Sequence, residues 1–160
     1  MARLENNKWK IENIDGNNEI IVTPGAVKES IQIFKVTNSV IQVQGKVSSI
    51  SINNSSGLGI VFTDVIASVE AVNSKKLKLQ ATGNINLIQL DGVHGTTIYL
   101  TNENKAGVEI ITSNVTEINV VTPGANPETD DPKEQPVPQQ YVSKFVGDKL
   151  ITAPTEHVGV

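Results

Sequence analysis

From Ile31 to Val120 apolar and polar positions alternate in short runs. In order these are Ile31-Gln32-Ile33, Ile41-Gln42-Val43, Ile50-Ser51-Ile52, Gly59-Ile60-Val61-Phe62, Val69-Glu70-Ala71-Val72, Leu77-Lys78-Leu79, Leu87-Ile88-Gln89-Leu90, Ile98-Tyr99-Leu100, Val108-Glu109-Ile110 and Ile118-Asn119-Val120. A period of two is the period of a strand, whose successive side chains leave on opposite faces. No stretch sustains a helical period, and no proline lies between Ala26 and Thr122. The run centres advance by about 8–11 residues, a spacing that suits a sandwich, a barrel or a solenoid.

The residues between the runs choose among these. Gly45, Asp64, Gly83 and Asn102 recur every 19 residues, and a looser series follows Asn38, Asn54, Asn73, Asp91 and Asn114. Gly, Asn and Asp tolerate positive φ, and Asx side chains bond nearby backbone. A solenoid needs two interleaved series of corners with one stride, because each coil must turn where the last one did. The pattern therefore predicts an all-β parallel β-helix over 1–122, with about 19 residues and two main strands per coil and about five coils. The general preference of parallel crossovers makes it right-handed. Val, Ile and Leu point inward in ladders. The outer face carries Gln32, Gln42, Ser51, Glu70, Lys78, Gln89 and Glu109, which suit either solvent or a flat docking surface.

At Pro123 the composition changes. Residues 123–138 hold five of the seven prolines and a net charge of −3, and predict an extended acidic loop that is neither strand nor helix. Residues 139–160 form a hairpin and tail. Tyr141–Val146 and Lys149–Thr152 flank Gly147-Asp148, a two-residue turn with Gly first. A lone hairpin is marginal in water, yet this one carries Tyr141, Phe145, Val146, Leu150 and Ile151. The last coil meanwhile offers an edge that invites a strand. The hairpin either caps its own chain or crosses to cap a second copy, and exchange into a homodimer is the favoured expectation.

Composition agrees with strands: of 160 residues 20 are Val, 18 Ile and 13 Thr, all stiff at χ1. There is no cysteine, hence no disulfide framework, thiol nucleophile or Cys-ligated metal. No apolar run is long enough for a signal peptide or a membrane span, so the expected location is the cytoplasm, without membrane insertion. A net charge of −4 argues against nucleic acid as a partner.

Catalytic groups are sparse. His94 lies in the turn sequence Asp91-Gly92-Val93-His94-Gly95, and His157 lies four residues from the end. Asp64 and Asp91 belong to different corner series, whereas glycoside hydrolysis needs two carboxylates across one cleft. No phosphate-binding loop opens a helix. The chain reads as a non-enzyme with no cofactor and no metal.

Several fragments together resemble the C-terminal β-helix domain of the cyclase-associated protein family. They are Lys8-Trp9-Lys10-Ile11-Glu12-Asn13, Ile33-Phe34-Lys35-Val36-Thr37-Asn38, and Val43-Gln44-Gly45-Lys46-Val47 with Ser49-Ile50-Ser51-Ile52-Asn53-Asn54. Leu58-Gly59-Ile60-Val61-Phe62-Thr63-Asp64-Val65 and Val72-Asn73-Ser74-Lys75-Lys76 follow in the same order. Pro136-Val137-Pro138-Gln139-Gln140-Tyr141 is similar to the family's Pro-Val-Pro-Glu-Gln-aromatic element, and Lys149-Leu150-Ile151-Thr152 with Thr155-Glu156-His157 to its closing strand and tail.

The resemblance implies a right-handed β-helix that dimerises by exchanging its C-terminal hairpin. It further implies a cytoskeletal protein that binds actin monomers, ADP-bound ones preferentially, and promotes nucleotide exchange and monomer recycling or sequestration. It places Lys35, Asn38, Lys46, Asn53, Asn73 and Lys75 on the actin-facing sheet and its corners. It makes Pro136, Val137, Pro138, Gln139, Thr155, Glu156 and His157 further actin-binding candidates. The dimer falls to Tyr141, Phe145, Val146, Leu150 and Ile151. Two departures stand out: Gln139 where the family has Glu, and a tail ending His157-Val158-Gly159-Val160. The helical domain, proline-rich segments and WASP-homology stretch that family members place earlier are missing, which implies an excised portion or a compact stand-alone form. The competing readings are a structural dimerisation module without actin activity and a carbohydrate-active β-helix enzyme.

Overall fold

The computed structural model describes residues 2–155. In chain order its strands are β1 (Arg3–Glu5), β2 (Lys8–Asp15), β3 (Ile20–Val22), β4 (Ser30–Val43), β5 (Val47–Asn53), β6 (Ser56–Phe62) and β7 (Val65–Lys75). They continue as β8 (Lys78–Ala81), β9 (Leu87–Tyr99), β10 (Glu109–Ser113), β11 (Thr116–Thr122), β12 (Lys133–Pro136), β13 (Tyr141–Val146) and β14 (Lys149–Pro154). Among the described residues the only helical element is a single 3₁₀ turn, Lys105–Gly107.

Two parallel series of strands wind together into a solenoid. One runs β2, the first half of β4, β5, the first half of β7, the start of β9 and β10. The other runs β3, the second half of β4, β6, β8, the end of β9 and β11. Each series is six strands deep, one coil more than the sequence pattern suggests, because Lys8–Val22 supplies a first coil with its own spacing. The stride is 19 residues where Ile31 faces Ile50 and 22 where Ile11 faces Ile33 and Ile98 faces Val120. At the far end the three extra residues fit the inserted 3₁₀ turn. At the near end one lies between Asp15 and Ile20 and two fit the turn through Pro24–Glu29, closed by Glu29 N–H to Ala26 O at 3.0 Å.

The alternating pattern puts every second side chain inside. Ile11, Ile33, Ile52, Ala71 and Leu90 stack in one row, and Ile20, Ile41, Ile60, Leu79 and Ile98 in another, all buried. Each fully buried Ile or Leu contributes on the order of 1.5–3 kcal/mol. Between Leu77 and Ile118 stands Thr96, fully buried, with its Oγ1 lacking a hydrogen-bond partner. A buried hydroxyl without a partner is costly, and valine has the same shape without the oxygen. Thr96→Val is expected to stabilise the protein by about 1 kcal/mol, read as a higher midpoint in thermal unfolding.

Where the two sheets meet, the chain turns in the same way six times. Asn13, Lys35, Asn54, Asn73, Gly92 and Asn114 form one row of left-handed residues (φ +49° to +67°). Gly16, Asn38, Gly57, Lys76, Gly95 and Glu117, each three positions later, form a second (φ +49° to +78°). The loose Asn series is thus two rows: Asn54, Asn73 and Asn114 belong to the first, Asn38 to the second, and Asp91 yields its place to Gly92. Between the rows, Ser55 and Ser74 turn inward and stitch coil to coil. Val36 N–H donates to Ser55 Oγ at 3.2 Å, and Ser55 N–H to Ser74 Oγ at 3.1 Å. The regular series of Gly45, Asp64, Gly83 and Asn102 lies at the opposite turn, between Val43 and Val47 and its equivalents.

The ends are closed by antiparallel strands. β1 pairs with β2 at the start, and β12 pairs with β11 at the finish, Val120 facing Gln135. Part of the acidic proline-rich segment is therefore strand, contrary to the expectation of a loop throughout. An edge strand bonds along one side only, and Pro136 stands at its last position, where an edge tolerates proline. The hairpin has a different place from the one the bare edge suggests. β13 and β14 pair with each other, Phe145 facing Leu150, in a sheet of their own apart from the solenoid sheet.

Candidate functional site

Five of the six polar candidates converge on the corner. Lys35 and Asn73 belong to its first row, Asn38 to its second, Lys75 lies between the rows, and Asn53 immediately precedes them. Lys46 stands apart. It follows Gly45 in the opposite turn, the whole length of β5 from Asn53, roughly 20 Å at strand rise. There it lines a groove of about 350 Å³ with Asp64, Asn84 and Glu103. Asp64 and Asp91 likewise sit on opposite edges, and Asp64 is engaged in accepting Asn84 N–H at 2.8 Å.

The amides at the corner are partly committed to structure. Asn38 Nδ2 donates to Asp15 Oδ1 at 3.1 Å beside Thr37 Oγ1, which donates to the same oxygen at 2.7 Å. These bonds, the Thr37 one foremost, hold the Asp15 carboxyl below its ordinary value. Their contribution is present at neutral pH and is lost as acid protonates Asp15. Asn53 Nδ2 donates to Ser51 Oγ at 3.1 Å.

The lysines are different. Lys35, Lys75, Lys76 and Lys78 are exposed, and the ion pairs among the described residues all lie at the N-terminal cap, between Arg3, Lys10, Glu5 and Glu12. Lys35 Nζ sits 5.2 Å from the centre of the Phe34 ring. Lys35 and Lys76 also occupy left-handed positions, φ +54° and +53°, where the corner otherwise places Asn or Gly except at Glu117. That conformation costs a β-carbon-bearing residue roughly 1–2 kcal/mol. The sequence places Lys78 on the outer face and Lys76 within a family-like fragment but marks neither as a binding candidate, because a lysine gives no sign of a left-handed corner or of a place beside one. Their spacing after Asn73 is the one available signal.

The Pro-Val-Pro element reaches the same corner from the far end. Pro136 closes β12, Val137 packs on the core and donates its N–H to Ile118 O at 2.8 Å, and Pro138 follows exposed. Gln139 Oε1 accepts Glu117 N–H at 2.8 Å, on the second corner row. Two coils separate Lys76 from Glu117, about 10 Å at strand spacing. Thr155 N–H returns to Gln140 O at 3.1 Å, so the tail begins beside this element. Glu156 and His157 lie outside the described residues.

On the hairpin, Tyr141 (55% exposed), Phe145 (71%), Val146 (59%), Leu150 (56%) and Ile151 (41%) are open to solvent. Phe145, Leu150 and Tyr141 share one face and Val146 and Ile151 the other, as the register requires. Phe145 and Leu150 face each other beside Tyr141, exposed apolar surface of the kind that marks an interface, while the opposite face sets Val146 and Ile151 among Lys144 and Lys149.

The chain is thus a two-sheet solenoid with a lysine-bearing corner and an exposed apolar hairpin. The family described as "Adenylate cyclase associated (CAP) C terminal" matches residues 1–157, and the chain belongs to it. Adenylyl cyclase-associated protein 1 of Bos taurus is 36% identical over 159 residues, which is 99% of this chain and 33% of that protein. The adenylyl cyclase-associated protein of Dictyostelium discoideum is 37% identical over 155 residues, 97% of this chain and again 33% of its own length. The chain thus spans about a third of these relatives. The crystal structure of cyclase-associated protein from Cryptosporidium parvum superposes with a TM-score of 0.89 at 32% identity, covering 97% of this chain and 94% of that one.

Proposed function

We propose that this chain is an actin-monomer-binding regulator of the cytoskeleton, acting in the cytoplasm as a hairpin-exchanged homodimer. It binds ADP-actin in preference to ATP-actin and speeds nucleotide release, so that monomers are recharged. Family membership supports the partner, and one observation carries the site. Lys35 and Lys76 keep positive charge, without an acidic partner among the described residues, at backbone positions that disfavour lysine. Strain held at a surface position points to use of that position. The binding face is the corner from Lys35 to Lys76 together with Pro136–Gln139, and Lys46 is peripheral to it.

No helix among the described residues is long and apolar enough to cross a membrane. Titration of fluorescently labelled actin monomers with the chain tests the reading. A saturable signal, tighter for ADP-actin than for ATP-actin, is expected. Equal affinities would remove the nucleotide preference, and no binding to either form would leave a dimerisation module.

A further inference from the structure

Next to the corner the outer face of the second sheet has a notch of about 360 Å³. It exists because the outward row Val40–Gly59–Lys78 lacks a side chain in its middle. The Gly57 position beside it is equally bare. Gly57 is favoured by the fold: its φ is +62°, and a Cβ there would come within 2.8 Å of Asn38 Oδ1, so that side chain would have to shift. Gly59 is not so constrained. Its backbone lies outside the left-handed region, and an added Cβ would meet only Val40 Cγ2, at an ordinary 3.8 Å.

A glycine inside a strand weakens the strand, and one that the backbone does not need marks close approach by something else. The floor of the notch is apolar, formed by Val40 and the edge of Leu58, and its rim carries Lys76 and Lys78, both exposed. Ion pairing among the described residues leaves these two ammonium groups free.

We propose that the notch receives an apolar side chain flanked by carboxylates on the surface of the bound monomer, fixing where that monomer sits along the solenoid. The inference rests on the actin reading above. An apolar group fills the space that Gly59 leaves, and the carboxylates meet Lys76 and Lys78. Charged rims steer encounter and weaken with salt, while a filled pocket governs residence.

Gly59→Val tests the idea, because it fills the notch with a residue that favours strands. The variant is expected to melt no lower than the parent and to bind ADP-actin monomers roughly tenfold or more weakly. Parental affinity in a folded Gly59→Val protein would overturn the proposal and leave the actin reading intact. Failure of the parent chain itself to bind actin would overturn both. If Gly59→Val lowers the melting temperature, Lys78→Glu reads the same notch from its exposed rim. A similar loss of affinity with a shallower salt dependence is expected, and an unchanged salt dependence would overturn the proposal.

Discussion

Replacing Lys76 by Gly will make this protein more stable and a poorer actin ligand in the same step. The left-handed backbone at Lys76, φ +53°, suits glycine, as Gly16, Gly57 and Gly95 show in the same row. Relief of that strain is worth about 1 kcal/mol, or roughly 2–4 °C in melting temperature for a chain of this size. Lys35→Asn gains less, because the Lys35 ammonium lies 5.2 Å from the Phe34 ring and losing that contact offsets about 0.5–1 kcal/mol. Binding moves the other way, and the double variant should lose roughly tenfold or more in affinity for ADP-actin. Calorimetry and a binding titration on one preparation read both effects. A double variant that is more stable and binds undiminished would mean the two lysines are corner accidents.

The second large effect concerns the arm. With β12 sealing the β11 edge, the hairpin is not needed to cover its own solenoid, and its exposed apolar side chains remain for a second copy. The intact chain should sediment at twice its 17.2 kDa mass. Phe145→Asp with Leu150→Asp places charge on the apolar face of the ribbon and should give a monomer. Its solenoid should melt like the parent's, because neither side chain belongs to the buried core. Sedimentation before and after the substitution decides: a parent that is already monomeric, or a variant that remains a dimer, contradicts exchange through the hairpin.

Much of the scaffold was legible in the residues because a solenoid repeats one local decision. The alternation of Ile31-Gln32-Ile33 and its successors fixes which side chains face inward, and the 19-residue recurrence of Gly45, Asp64, Gly83 and Asn102 fixes the stacking. What resisted reading were the positions that depart from residue preference. The first coil hid behind its 22-residue stride, and β12 hid in a proline-rich composition that argues for loop. Lys76 hid because a lysine does not announce a left-handed corner. The convergence of Lys35, Asn38, Asn73 and Lys75 follows once the two corner rows are recognised. The separation of Lys46 follows equally, since position in the coil, not nearness in sequence, decides which side chains share a face.

In the proposed function the chain acts on the nucleotide state of actin monomers through its corner. The direct measurement is release of a fluorescent ADP analogue from monomeric actin at rising concentrations of the chain. A rate that climbs and saturates, and that falls back toward the spontaneous rate with the Lys35→Asn, Lys76→Gly variant, is the expected result. A release rate that the folded, dimeric chain leaves unchanged would contradict the account.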